Sequence, residues 1–418
     1  MYKLYTLKNG LKVVTEKNEW VNSVSVGIMI KNGSRNESEE LNGISHFIEH
    51  MMFKGTEKRS SKEIAEVIEN VGGQINAYTS KEATCYYTKT LYTHLDLSLE
   101  VLSDMMFNST FSEEELEKEK KVVIEEINMS DDTPEDVLYD LNSKVSYGDH
   151  SLGAPILGTI EKVSSFTREE LKKYISEKYT PYNSVISVCG KFDENELEEL
   201  VNKYFSNWNC NEKYSPKYEK VEIIPNSGVV EKNIEQLHIS LGLKGLPSED
   251  ERTYSLALLC NILGGGASSI LFQKVREELG LCYTIYCYPQ NFEGSGLINI
   301  YAGLGKNYGE EALQVISREV KKFSKNKISE EELKMAKEKI KGSYILGRES
   351  TSSKMFSNAK TILFRNKIYR EKEVIDKINN ITLDEINIVL EETFGKGIIN
   401  SSYVGKNINY EKLNSVLF

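Results

Sequence analysis

The sequence predicts a chain of mixed helix and strand built as two related domains, only one of which carries a metal motif. Three observations predict this. The chain has 418 residues, more than one ordinary core serves and suited to two domains of about 200 residues. Short segments of the first half recur in the second half in the same order, at offsets of 208 to 217 residues. A single stretch, His46-Phe47-Ile48-Glu49-His50, holds two of the chain's five histidines four residues apart.

The recurrences set the domain plan. Val24-Ser25-Val26-Gly27-Ile28 is echoed by Ile239-Ser240-Leu241-Gly242-Leu243, and Ser60-Ser61 followed by Gly72 is echoed by Ser268-Ser269 followed by Gly280. Ser112-Glu113-Glu114-Glu115-Leu116 recurs unchanged as Ser329-Glu330-Glu331-Glu332-Leu333, and Val188-Cys189-Gly190 is answered by Tyr403-Val404-Gly405. Four echoes in one order read as a duplicated unit. Residues 209–218 are polar, contain Pro216 and lack an apolar period, which places the linker there. The expected domains are 1–210 and 219–418.

Along the first copy, 3–15 and 23–31 alternate like strands, with Lys8-Asn9-Gly10 supplying a turn. Residues 33–42 form a polar loop leading into the histidine motif. Ile64, Val67, Ile68 and Val71 recur at helical spacing before Gly72-Gly73 stops the run. Segments 74–80 and 84–90 are β-rich and suit a sheet edge. Residues 95–106 read as an amphipathic helix, and Ser112 caps a long acidic one. Further helices are expected over 166–178 and 194–205, with a short buried strand at 184–189.

Composition narrows the function classes. A net charge of −11 argues against a nucleic-acid surface. No apolar run approaches the ~18 residues that span a bilayer. The N-terminus alternates like a strand and lacks the apolar core of a secretion signal, so the expected location is cytoplasmic. The six cysteines (85, 189, 210, 260, 282 and 287) form no C-x-x-C pair and read as buried free thiols.

Chemistry concentrates in the histidine motif. On a helix, positions i and i+4 lie one above the other, so His46 and His50 are spaced to hold one metal ion, with Glu49 toward the same side. H-x-x-E-H is the inverted form of the H-E-x-x-H zinc hydrolase motif. In both, two imidazoles bind zinc and a nearby carboxylate handles the proton of a water. The flanking Ile44, Phe47, Ile48, Met51, Met52 and Phe53 predict a buried or half-buried helix, in which paired imidazoles need partners. A third ligand is needed, and a carboxylate on a separate helix is a usual source. Glu119 and Glu126, seven residues apart on one face of the acidic helix, are the two candidates.

The duplication supplies an internal control. At the local offsets, His46 and His50 correspond to Tyr254 and Leu258, and Glu119 and Glu126 to Ala336 and Ser343. The second copy keeps none of the four, so the constellation is an addition to the first copy rather than part of the scaffold.

Four segments carry a family resemblance: HFIEHMMFKGT at 46–56, GGQINAYTSKEATCYY at 72–87, EKEKKVVIEEI at 117–127 and LGGGASSILFQKVREELGLCYTIY at 263–286. With them, essentially the whole chain resembles the zinc peptidases that include pitrilysin, insulin-degrading enzyme and the mitochondrial processing peptidase, in their shorter two-domain form. The resemblance implies an α+β fold of two homologous domains, each a mostly antiparallel β-sheet flanked by helices. It implies one zinc ion per chain, held by His46, His50 and Glu126, with Glu49 as general base and Glu119 supporting the site. It implies that Asn76 and Ala77 hold the substrate backbone on an edge strand, and that Arg276 and Tyr283 from the second half reach the scissile bond. Gly264-Gly265-Gly266 resembles the family's glycine-rich loop. Two such subunits usually close around an internal chamber. Because this chain carries both the motif and the Arg–Tyr pair, the expected assembly is a homodimer. The expected activity is zinc-dependent endopeptidase cleavage of short or unfolded peptides bound in extended form. The alternative is a catalytically silent assembly subunit of the same fold.

Overall fold

The computed structural model describes residues 2–210 and 212–417. They pack as two compact units, each discontinuous in sequence. One comprises residues 2–127, Pro155–Lys217 and Ile345–Arg370; the other comprises Asn128–Ala154, Tyr218–Tyr344 and residues 371–417. Each unit therefore includes one helix from the opposite half of the chain, Thr351–Arg365 in the first and Pro134–Tyr147 in the second.

The first unit is built on a six-stranded sheet. Its strands are β1 (Tyr2–Thr6), β2 (Lys12–Lys17), β3 (Ser23–Ile30), β4 (Gln74–Thr79), β5 (Thr84–Leu91) and β6 (Ser184–Gly190), in the spatial order β1-β2-β6-β3-β5-β4. Only β2 and β6 run parallel; the other neighbours are antiparallel. The central strands β3 and β6 are buried along nearly their whole length. Both faces of the sheet are covered, which removes the polar alternation expected of a half-solvated strand.

The larger core joins that sheet to the helices Ile44–Met51, Ser61–Glu69, Leu95–Asn108, Arg168–Lys178 and Glu194–Phe205. Local signals start these helices where the sequence indicates. Ser60 accepts the Glu63 amide while Glu63 reaches back to the Ser60 amide, and Thr167 and Glu170 do the same. On the opposite face lies the single helix Thr351–Arg365, packed through Ala359 and Ile362 on Val14, Met29, Cys85 and Val185. It crosses β3 at Gly27, where an added Cβ would lie 2.2 Å from Met355 Sδ. Glu16 is buried beneath this helix but accepts from Asn358 at 2.8 Å and pairs with Lys354 at 2.9 Å and Arg348 at 3.2 Å. Burial opposes its charge, yet these partners outweigh burial and hold its carboxyl below the usual range.

The second unit repeats the plan with one strand fewer. Its strands β7 (Ser227–Glu231), β8 (Gln236–Lys244), β9 (Cys282–Phe292), β10 (Ser295–Gly305) and β11 (Ile398–Gly405) take the order β7-β11-β8-β10-β9. Only β7 and β11 run parallel, as do their counterparts β2 and β6. One core joins this sheet to Thr253–Gly264, Gly309–Lys325 and Leu383–Thr393. The other face takes Pro134–Tyr147, with Leu138 among Tyr301 and Val404 and Asn142 donating to Asn299 at 2.8 Å. The expected α+β class, with two similar and mostly antiparallel sheets flanked by helices, is what the structure has. Among the described residues, no helix is long and apolar enough to cross a membrane.

Candidate metal centre

The helix Ile44–Met51 begins at Gly43, whose φ of 96° lies in the left-handed region that favours glycine. A Cβ there would also stand 2.7 Å from the Leu157 carbonyl oxygen. Ile44, Phe47, Ile48 and Met51 bury one side of the helix completely. Burying Phe47 alone is worth about 1.5–3 kcal/mol. With that side fixed in the core, His46, Glu49 and His50 fall on the remaining one. His46 is buried; Glu49 and His50 are half-buried.

Facing them is the acidic helix Glu113–Asp132. Its Glu126 brings one carboxylate oxygen to 3.3 Å from His50 Nε2 and 3.7 Å from His46 Nε2. One ligand atom from each of the three residues lies within 4.8 Å of the other two. Zinc bonds of about 2.0–2.1 Å at tetrahedral angles separate ligand atoms by roughly 3.3 Å, close to the 3.3 and 3.7 Å from Glu126 to the two imidazoles, so this donor set fits one such ion. Glu119, two helical turns earlier, takes a different position. Its Oε1 meets His50 Nδ1 at 2.8 Å, and its Oε2 pairs with Lys54 at 2.7 Å. A carboxylate on the far nitrogen of a ligating histidine fixes the ring and presents the other nitrogen to the metal. The geometry thus places Glu126 against both imidazoles and Glu119 against the far nitrogen of His50 alone.

Charge is unevenly shared among these groups. Burial and the neighbouring His50 lower the His46 imidazole to about 4. Burial also works against charge on His50, but its bonds to Glu119 and Glu126 outweigh that and raise it to about 9. The His50 hydrogen bond holds Glu126 below the usual carboxylate range, and Glu119 is also held down, by His50 and Lys54 against its burial.

Glu49 points elsewhere. Its Oε2 accepts from Thr79 Oγ1 at 2.5 Å. Burial raises its pKa, and the Thr79 bond only partly offsets the rise. Thr79 was not among the sequence candidates. The signal was period-two alternation: Ile75, Ala77 and Thr79 share the more buried face of β4. Lys54, four residues beyond His50, also went unread.

The remaining candidates are placed as follows. Asn76 and Ala77 lie on β4, the outermost strand of its sheet. Asn76 is exposed, and its carboxamide oxygen accepts the Ala77 amide at 2.8 Å. Arg276 and Tyr283 belong to the second unit, where the Arg276 guanidinium sits 5.3 Å from the Tyr283 ring centre and 4.5 Å from that of Phe272. Tyr283 is 74% exposed. Five of the six cysteines are buried, Cys210 is half-buried, and all six are free thiols.

The family profile described as Insulinase (Peptidase family M16) matches residues 12–160, and the one described as Peptidase M16 inactive domain matches 165–340. A Bacillus subtilis protein named as an uncharacterized zinc protease, YmxG, is 45% identical over 94% of this chain and 96% of its own length. Among solved structures, a protease from Helicobacter pylori superposes with a TM-score of 0.90 at 26% identity, covering 97% of this chain and 99% of that one. A protein from Pseudomonas fluorescens, described as a peptidase M16 inactive domain, reaches the same TM-score at 17% identity, covering 98% of both chains. At that identity the likeness speaks to the fold alone.

Proposed function

Since the chain belongs to the insulinase family of peptidases, family M16, we propose that it is a zinc-dependent endopeptidase acting on peptides bound in extended form. The observation that carries this reading is the convergence of His46, His50 and Glu126 beside a carboxylate, Glu49, that is not consumed in holding the ion. Three protein ligands rather than four are the mark of a catalytic site with an open position. When bound there, zinc supplies Lewis acidity that lowers the pKa of a coordinated water to about 7.

The chain's own residues do the rest. Glu49 accepts the proton of the attacking water at its carboxylate and later delivers it to the leaving amine. Its burial strengthens it as a base, and the Thr79 hydroxyl holds the carboxylate in a fixed orientation. Glu119 keeps the proton on His50 Nδ1, so that Nε2 carries the free lone pair. The open edge of β4 offers main-chain groups to an extended peptide, an interaction largely independent of side-chain sequence. Asn76 and Ala77 are the proposed substrate contacts there. Arg276 and Tyr283 are proposed, on the family resemblance, as substrate-side groups, with Tyr283 donating to the developing oxyanion. The proposed assembly is a homodimer.

The test is metal content and cleavage of a pool of short peptides by wild type beside Glu49→Gln. The expected outcome is about one zinc per chain in both proteins, with cleavage by the variant reduced about 10²- to 10⁴-fold. Wild type that holds zinc and cleaves nothing would instead favour the silent-subunit reading.

A further inference from the structure

The loop between β3 and the motif helix, polar in sequence, contains a buried carboxylate. Glu37 is 8% exposed. Its Oε2 accepts the Gly43 amide at 2.8 Å and the Asn42 side chain at 3.1 Å, while its Oε1 accepts the Ser45 amide at 2.8 Å. Gly43 and Ser45 are the residues at which the helix Ile44–Met51 starts. A helix's first amides lack intrahelical partners and carry its positive end, so one carboxylate satisfies two of them and complements the dipole. Behind it, the Ser45 hydroxyl lies 3.2 Å from Tyr174 Oη and 3.3 Å from Asn32 Nδ2. Burial pushes the Glu37 carboxyl up to about 7 despite these bonds.

The same loop is pinned at its other end to the β4–β5 turn. Arg35 pairs with Glu82 at 2.5 Å in a buried bridge, and the Ser34 and Arg35 amides donate to the Ser80 and Lys81 carbonyls at 3.2 and 2.7 Å. Thr79, which holds Glu49, immediately precedes that turn. One loop thus ties the start of the motif helix to the strand that orients its base. In the second unit the corresponding connection, 245–252, is shorter, and its helix start is served locally by Asp250, which accepts the Arg252 amide and guanidinium.

We propose that Glu37 is a positioning residue for the metal helix: by gripping the Gly43 and Ser45 amides it fixes where His46, Glu49 and His50 stand relative to Glu126 and Thr79. The inference rests on the metal-site reading above and assigns that site a support seven residues before its helix. It requires the carboxylate itself rather than a filled volume. Glu37→Gln keeps the shape but turns an N–H donor toward a backbone N–H.

The experiment compares wild type, Glu37→Gln and Asn42→Ala, each at an equal interval below its own melting temperature. Asn42→Ala removes one hydrogen bond to Glu37 without touching the helix amides. Three readouts are taken: amide exchange of residues 43–48 in chelator-treated protein, cobalt affinity by chelator competition, and the visible spectrum of the bound cobalt. Glu37→Gln is expected to speed exchange at the helix start, weaken cobalt about 10- to 100-fold, as loss of a supporting partner does, and change the spectrum. Asn42→Ala is expected to change none of these. Unaltered exchange in Glu37→Gln overturns the proposal, as does an equal loss of affinity in both variants. If Glu37→Gln does not fold, Glu37→Asp, too short to reach both amides, is expected to show the same pattern. Wild type that binds no cobalt would defeat the metal-site reading, while exchange in metal-free protein still decides whether Glu37 anchors the helix.

Discussion

The two units use one sheet order and reach opposite ends with it. In the first, the helix after the third strand carries His46 and His50 toward Glu126; in the second, the equivalent helix Thr253–Gly264 carries Tyr254 and a fully buried Leu258. Where the first acidic helix presents Glu119 and Glu126, the helix Glu330–Gly347 presents a buried Ala336 and an exposed Ser343. Tyr254, Leu258 and Ala336 therefore serve packing at positions that carry polar chemistry in the other copy. The scaffold does not need the histidines, and their partners are the cost of keeping them. A buried and a half-buried imidazole require Glu126, Glu119 and Lys54 around them, whereas a leucine requires only neighbours of the right shape.

The sharpest way to break this comparison is to exchange the roles one residue at a time. His46→Ala is expected to abolish stoichiometric metal and cleavage with little loss of stability. Leu258→Ala at the matching position is expected to cost about 2–5 kcal/mol of stability and leave metal content intact. Chemical denaturation beside metal analysis reads both, and a His46→Ala protein as destabilised as Leu258→Ala would mean that His46 serves the scaffold.

A smaller effect sharpens the contrast between the two glutamates. Glu119→Gln is expected to weaken metal about 10- to 100-fold without abolishing it, because Glu119 bonds the far nitrogen of His50. Complete loss of metal in this variant, with Glu126→Gln retaining it, would reverse the assigned roles.

The smallest effect concerns acid. Asp104 braces the chain just beyond the motif helix, accepting from Thr56 at 2.7 Å, Arg59 at 2.8 Å and Asn108 at 2.8 Å. Burial opposes its charge, but these bonds outweigh it and hold its carboxyl below the usual range. A depressed carboxyl adds stability that is present above the unfolded value of about 3.9 and lost as pH falls through the folded one. The matching helix Gly309–Lys325 contains no aspartate. Exchange protection in the first unit is therefore expected to fall more steeply below pH ~4 than in the second, and Asp104→Asn is expected to flatten that difference. Equal slopes in the unmodified protein would remove Asp104 from the account.

Much of this was legible in the sequence because it is local. The i, i+4 histidines, the capping box at Ser60 and Glu63, the alternation of β4 and the repeat at offsets of 208 to 217 are set by residues near one another or by copies of themselves. The reading stopped where partners lie far apart in the chain. Residues 33–42 read as a polar loop because Glu37 and Arg35 are charged, and their burial depends on amides and a glutamate supplied by the fold. Helix Thr351–Arg365 has a readable apolar stripe, but no periodicity names the sheet that receives it. Gly27 and Met355, which meet there, are more than 300 residues apart.

The sequence by itself determined the duplicated plan, the metal motif and the absence of its counterpart from the second copy, since each is a pattern of residue types at fixed spacing. Only the tertiary structure brought Glu126 to both imidazoles and Glu119 to the far nitrogen of His50, joined Thr79 to Glu49, buried Glu37 beneath the motif helix and gave each unit a helix from the other half. Those outcomes depend on where side chains converge in space, and convergence follows from burying the apolar faces of sheet and helices together, a property of the whole core rather than of any one stretch.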